Sequence, residues 1–358
     1  MRTPDLESLG WTAAWAARFE PFAQEALIPA RVALEHQHIY RVYTGGDEPL
    51  AHVAGRFRHR ATARQEYPAV GDWVALERAH GHTRATIHAV LPRTSRFSRK
   101  AAGDVTAEQV VAANIDLVFL VSGLDRDFSL RRIERYLVTA REGGARPVLV
   151  LNKSDLCPNL PAVLDEVARA AAGAPVHAIS SLTREGLDAI GPYLVRGRTI
   201  ALLGSSGVGK STLINVLLGH DRQRTRAVRA HDSRGRHTTT HRELVPLPQG
   251  ALLIDTPGMR ELSLWESESA LDEAFEDIET LAHGCGFRDC LHDSEPRCAV
   301  KAAVADGRLP ADRLASFHRL RRELRNLETK IDERAASEKK REQKILHKNI
   351  RRVTSRRF

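Results

Sequence analysis

The stretch Gly204-Ser205-Ser206-Gly207-Val208-Gly209-Lys210-Ser211, followed by Thr212, fits the spacing G-x-x-x-x-G-K-[ST]. Glycines at these places let backbone N–H groups wrap a chain of phosphates, and the helix that follows adds the positive end of its dipole. Lys210 is expected to reach the β and γ phosphates, and the Ser211 hydroxyl to bind Mg²⁺. The apolar run "RTIALLG" before the motif and the helical pattern "STLINVLLGH" after it supply the strand and helix such a loop requires. Those two contexts disfavour the alternative, a chance glycine-rich turn.

Further along, "LLIDTPG" puts Asp255 at the end of an apolar run, where a carboxylate can hold Mg²⁺ through water. It also puts Gly258 where a backbone N–H can sense a γ-phosphate. Between the two motifs, "RGRHTTTHREL" offers the hydroxyls of Thr238, Thr239 and Thr240 to complete the Mg²⁺ shell, with Thr239 as the candidate ligand. The alternative for this segment is an ordinary polar loop. Upstream, "LVLNKSDL" holds Asn152, Lys153 and Asp155 in the pattern Asn-Lys-x-Asp. An Asp there accepts hydrogen bonds from the N1 and N2 donors of guanine, which adenine lacks, and the lysine stem packs over the ring. A wrong base would leave a buried carboxylate unpaired. "ISSLT", with Ser180 and Ser181, resembles a second guanine-contacting loop, a backbone N–H near Ser181 facing the base oxygen.

The base-reading parts therefore precede the phosphate-binding parts. A circularly permuted GTPase domain accounts for that order, because the ends of a compact domain lie close together and can be rejoined elsewhere without disturbing the site. In this order the segment after Asp255 leads directly into the carboxy-terminal part of the chain. Met259 stands just after Gly258, where many GTPases carry a Gln that orients the attacking water. Methionine cannot do this, and His237, beside the threonines, is the candidate for positioning water. Its alternative is a solvent-facing loop histidine.

In "CGFRDCLHDSEPRC", Cys285, Cys290, His292 and Cys298 supply three thiolates and one imidazole. Such a set suits one tetrahedral structural Zn²⁺ with no open position for water, and the alternative is buried free cysteines. His283 precedes the first cysteine and is the weaker ligand candidate. Cys157, the remaining cysteine, is expected to be a small core or loop residue.

These groups need a scaffold. The chain has 358 residues, room for two or three compact units. Its net charge of +9 makes an anionic partner plausible without separating nucleic acid from membrane. No apolar run approaches the ~20 residues of a spanning helix. The amino terminus lacks a signal-peptide layout and four cysteines are too few for a disulfide framework, so a cytoplasmic protein is expected. Residues 1–29 read as an extension in which Trp11, Trp15 and Phe19 pack a short helix. From 30 to 97, "RVALEHQHIYRVYT", "AHVAGRFRH", "DWVALERA" and "RATIHAVL" read as short strands of an OB-type β-barrel. Arg56, Arg58, His59 and Arg60 could bind RNA phosphates on it or form only a solvated basic face. Residues 97–109 read as a linker. From 110 to 270, apolar runs alternating with helical segments predict a mostly parallel sheet covered on both faces. From 271 to 358 the chain reads as a helical zinc-binding unit with a basic tail, in which "KKREQKILHKNIRRVTSRRF" has Glu342 as its only acid. That tail suits rRNA, against the alternatives of a solvated helix or a membrane-surface helix. The whole is a multidomain α/β chain.

A barrel-like start, "NKSD" ahead of "GSSGVGKS", then "GRHTTT", "DTPG" and the Cys/His cluster resemble, over residues 30 to 300, the bacterial ribosome small-subunit-dependent GTPase A family. The resemblance implies a GTPase that acts late in small-subunit assembly, is stimulated by that subunit and contacts its rRNA through the barrel and zinc units. GTP or GDP, Mg²⁺ and one zinc are the expected ligands, and a monomer is expected. Two rivals are an RNA assembly chaperone for which nucleotide is only a ligand, and a permuted GTPase serving the large subunit or another RNA.

Overall fold

The computed structural model describes residues 4–36, 38–78, 84–100, 108–126, 128–219, 242–255, 268–326 and 329. Short alternating runs between turn residues form the first unit. Its strands are β1 (Ile28–His36), β2 (Ile39–Tyr43), β3 (Leu50–Val53), β4 (Trp73–Arg78) and β5 (Arg84–Val90). They lie in the order β1-β2-β3-β5-β4, and β4 pairs back onto β1 to close the barrel. The β3–β5 pair is parallel and the others antiparallel, the arrangement of a five-stranded OB barrel. Ala30, Val32, Tyr40, Val42, Val53, Val74, Leu76 and Ile87 fill its interior.

Two features of this region depart from the expected ones. "AHVAGRFRH" is not a single strand: β3 ends at Val53 and α2 (Gly55–Arg60) follows. Phe57 is buried with the barrel interior, while Arg56, Arg58, His59 and Arg60 are exposed on the helix. One apolar side chain in a six-residue turn is too little periodicity to distinguish helix from strand. The expected linker at 97–109 holds strands instead: β6 (Arg96–Lys100) pairs with β7 (Glu108–Ala113) as an antiparallel ribbon. Phe97 and Val110 through Ala113 are buried, so the apolar ends of the segment set its structure and its polar middle concealed them.

The second unit carries β8 (Leu117–Gly123), α3 (Leu130–Glu142), β9 (Arg146–Asn152), α4 (Leu160–Ala170), β10 (Val176–Ala178), β11 (Thr199–Leu203), α5 (Lys210–Leu218), β12 (Glu243–Pro246) and β13 (Leu252–Asp255). The order is β10-β9-β8-β11-β13-β12, all parallel except β12. β11 is buried at every position, as befits a strand covered on both faces. Although β11 follows β8, β9 and β10 in the chain, it lies between β8 and β13, so the glycine-rich loop that follows it leaves the middle of the sheet.

The first two units are not separate bodies. β1 continues into β12 through the Leu34–Glu243 pair, making one eleven-stranded sheet. Beneath this seam, Arg31 is 2% exposed. Its guanidinium donates to the Leu9 carbonyl of the amino-terminal extension, to Gly71 O at 3.2 Å, to Asn114 O at 3.1 Å and to Thr199 Oγ1 at 2.7 Å. It also lies 5.3 Å from the Trp73 ring centroid. Burial pulls its pKa down to about 10, still far above neutral, so the side chain stays charged. α1 (Ala13–Ala23) buries Trp15 and Phe19, as their spacing predicted, whereas Trp11 stands ahead of the helix and meets Trp73 edge-on at 4.7 Å.

The third unit contains α6 (Glu268–Ala274), α7 (Glu276–Ala282), α8 (Ala299–Ala305) and α9 (residues 311–326). Phe275, Ile278, Val300, Phe317, Leu320 and Leu324 form its core, and Val138 of α3 inserts into it. Among the described residues no helix is long and apolar enough to cross a membrane.

Candidate functional site

The loop between β11 and α5 is shaped by its glycines. Gly209 has φ +96 and serves as the helix N-cap position, and a Cβ there would collide with the Asn152 amide. No side chain caps the start of α5, so its first-turn amides face the loop. Lys210 Nζ curls back to donate to Gly204 O at 2.7 Å and Ser205 O at 2.5 Å. The lysine thus sits over the backbone of its own loop. Ser211 and Thr212 occupy the first turn of α5. Asp255 ends β13, the parallel neighbour of β11, so it reaches the same edge of the sheet as the loop.

Asn152, Lys153 and Asp155 sit where β9 ends, separated from β11 by β8 alone. Asn152 is 2% exposed and fully engaged by protein. Its Nδ2 donates to Val208 O at 2.8 Å, and its Oδ1 accepts from Ser181 N and Ser181 Oγ, both at 2.9 Å. One amide therefore straps the β9 end, the β11–α5 loop and the 179–183 turn together. The backbone N–H of Ser181 itself is thereby committed to Asn152. Ser180 Oγ accepts the Thr183 N–H at 3.1 Å, which shapes the same turn. Lys153 holds a left-handed φ of +67 and its Nζ meets Asp125 Oδ2 at 2.5 Å. Asp155 lies exposed on the turn beyond.

Asp125 was not singled out by any motif, and neither were Arg132 and Tyr136. Arg132 donates to Ser205 Oγ at 2.6 Å, and the Tyr136 hydroxyl lies 3.2 Å from the same atom. The signal was present, since residues four apart share a helix face. It became legible only when α3 was seen against the loop. His237, Thr238, Thr239, Thr240, Gly258, Met259 and the basic tail from 339 lie outside the described residues.

The four residues chosen as metal ligands converge. Their donor atoms lie within 4.8 Å of one another, with Cys290, His292 and Cys298 buried. Cys285 Sγ and Cys298 Sγ stand 3.9 Å apart, and His292 Nδ1 is 3.6 and 3.5 Å from them. A tetrahedron with zinc–sulfur bonds of about 2.3 Å and a zinc–nitrogen bond of about 2.0 Å has edges of roughly 3.5 to 3.8 Å, so the set fits zinc. Burial, then the charges of Arg321 and His318, hold His292 below its ordinary pKa, which keeps the ring neutral as a ligand must be. His292 itself takes a left-handed φ of +61. The Glu295 carboxylate accepts the Leu291 and Asp293 N–H groups at 2.9 Å each and so braces the turn that presents it.

This geometry has close counterparts. Residues 90–265 match the model of the RsgA GTPase family. A protein of Opitutus terrae named small ribosomal subunit biogenesis GTPase RsgA is 52% identical, covering 91% of this chain and 92% of its own length. One of the same name from Xanthomonas euvesicatoria is 45% identical, over 93% and 92%. Among solved structures, YjeQ from Thermotoga maritima superposes with a TM-score of 0.62 at 26% identity, covering 83% of this chain and 98% of that one. YloQ, described as a circularly permuted GTPase, gives 0.61 at 26%, covering 84% and 96%. The order of motifs, the strand order that reunites them and the extent of these matches lead to one conclusion: the chain belongs to the RsgA GTPase family, enzymes that hydrolyse GTP.

Proposed function

We propose that this protein binds the small ribosomal subunit late in its assembly and hydrolyses GTP in response to that subunit, with hydrolysis driving release. The observation that carries the reading is the convergence, by way of Asn152, of the phosphate loop with the base-recognition turn, in a chain 52% identical to a named small-subunit biogenesis GTPase. In this reading Gly204 through Thr212 enclose the phosphates and Lys210 leaves its two carbonyls for the β and γ oxygens. Asp155 accepts the guanine N1 and N2 donors, while the Lys153 stem, its amine held by Asp125, covers the ring. Asn152 and Ser181 position these groups without touching the base.

Ser211 and Asp255 would hold Mg²⁺, with Thr239 completing its shell, and the ion would neutralise charge developing on the phosphates. Gly258 would sense the γ-phosphate and His237 would orient the attacking water. One structural zinc on Cys285, Cys290, His292 and Cys298 would stiffen the carboxy-terminal unit. The exposed cations of α2 and the basic tail would contact rRNA phosphates, making association fall with salt. A cytoplasmic monomer fits this role.

The test is GTP hydrolysis with purified small subunits, large subunits or neither, for the wild type and His237→Ala. Stimulation by the small subunit alone, lost in the variant, is expected. Stimulation by large subunits instead, or by neither particle despite tight GTP binding, would overturn the small-subunit role. The second outcome would favour an RNA chaperone that uses nucleotide as a ligand.

A further inference from the structure

Helix α3 has two working sides. Toward the sheet, Arg132 and Tyr136 both meet Ser205 Oγ, at 2.6 and 3.2 Å, and Ser205 is the second residue of the phosphate loop. Lys210, which must move when phosphate enters, takes the carbonyl of that same serine. Toward the carboxy-terminal unit, Glu134 accepts from Arg313 Nη1 at 2.8 Å, with side-chain exposures of only 2% and 7%. Arg313 also binds Asp277 of α7 and the Ala274 carbonyl of α6. Arg135 meets Glu323 of α9 through both terminal nitrogens, and Arg131 meets Asp312 at 2.9 Å. Val138 is packed in the core of that unit.

The chain offers one route from nucleotide to the zinc-bearing unit through residues 256–267, which follow Asp255. The contacts above define a second, in which no residue of that segment takes part. We propose that α3 is this route, with Arg132 and Tyr136 as positioning residues that convert the state of the phosphate loop into the tightness with which α6, α7 and α9 are held. The inference rests on the loop being the nucleotide site. Its physical basis is the mismatch between the two sides. The Glu134–Arg313 cluster is desolvated and held by several hydrogen bonds, so α3 cannot shift without disturbing it. The Ser205 hydroxyl is held by two contacts from α3 and lies on a loop whose own lysine changes partners, so the disturbance enters there. Any such coupling is reciprocal: what nucleotide does to the unit, the unit does to nucleotide affinity.

The test is amide hydrogen exchange across residues 268–326 in the full chain, free and saturated with GDP or a non-hydrolysable GTP analogue. It compares wild type with the Arg132→Gln/Tyr136→Phe double variant, and with Ser205→Ala as a milder removal of the shared acceptor. In the wild type, exchange in 268–326 should differ at least about fivefold between free and bound states, the low end of site-to-site coupling. In both variants, at saturating nucleotide, the difference should collapse. By reciprocity, Glu134→Gln should shift the GDP dissociation constant in the wild type but not in the double variant. A wild type that binds no nucleotide would sink the nucleotide-site reading itself. Binding without any change in 268–326 would sink only the coupling. An equal change in wild type and variants would assign the coupling to the 256–267 route and overturn the role of α3.

Discussion

At the scale of the residue, the proposed base-reading motif divides into groups that would touch guanine and groups that hold the site. Asp155 is exposed and belongs to the first kind, whereas Asn152 is buried with both ends of its amide engaged. The two should therefore fail differently. Asp155→Asn exchanges a carboxylate that accepts two hydrogen bonds for an amide that must place a donor against one. GTP binding should weaken by about 10- to 100-fold, equivalent to the 1–3 kcal/mol of an unsatisfied polar group, with little change in stability. Xanthosine triphosphate, which carries an acceptor in place of the N2 donor, should gain relative to GTP. Competition between the two nucleotides measures this. Asn152→Ala deprives Val208 O, Ser181 N and Ser181 Oγ of their partner together. It should lower unfolding stability by about 2–3 kcal/mol in a urea titration and weaken GDP as well as GTP, because it loosens two loops at once.

At the scale of the element, the turn that gathers the Cys/His set and the sheet edge make separate demands. The turn that presents His292 is short and polar, with Phe287 and Leu291 exposed, so its four donors are a principal restraint on it. One zinc per chain is the expected elemental analysis. Cys298→Ser, or a strong chelator, should release it and make the core around Phe275 and Phe317 the first to lose protection on heating, since a structural zinc supplies on the order of 10 kcal/mol of binding energy. At the opposite edge, β10 is a three-residue strand whose His177 meets the Tyr193 hydroxyl at 2.8 Å. Burial lowers the His177 pKa below its ordinary 6.5. The unfolded chain then takes up a proton before the folded one does, so stability is full above pH 6.5 and declines as pH falls below it. His177→Gln should flatten that decline in melts taken between pH 7.5 and 5.5.

At the scale of the whole molecule, Arg31 joins the amino-terminal extension, the barrel and the strand that feeds the phosphate loop. Arg31→Lys keeps the charge but cannot span four acceptors, and the carbonyls it leaves are buried. A loss of about 3 kcal/mol is expected. Nucleotide affinity should fall with it, because Thr199 begins the strand that ends at Leu203, just before Gly204. Calorimetric melting and GDP titration on one sample check both effects. A fall in stability without any change in GDP affinity would make the seam a fastener only.

What the sequence determined by itself was the chemistry and the architecture. Glycines before a lysine and a hydroxyl, an Asn-Lys-x-Asp after an apolar run, and three cysteines with a histidine carry their meaning in local spacing. The same is true of the fully apolar strands and the alternating barrel strands, because backbone periodicity is a local property. The reversed order of motifs was legible for the same reason, since each motif announces itself without its neighbours. The tertiary structure decided which polar groups are committed to one another. Asn152 and Ser181 lie 29 residues apart in the chain, Arg132 and Ser205 lie 73 apart, and Arg31 and Thr199 lie 168 apart. No periodicity links such pairs. It also decided that Phe97 and Val110 belong to a paired ribbon and that Phe57 turns a strand into a helix, because burial against distant segments outweighs the weak local preference of a few residues. Spacing is written along the chain, whereas partnership is settled by which surfaces the fold presses together.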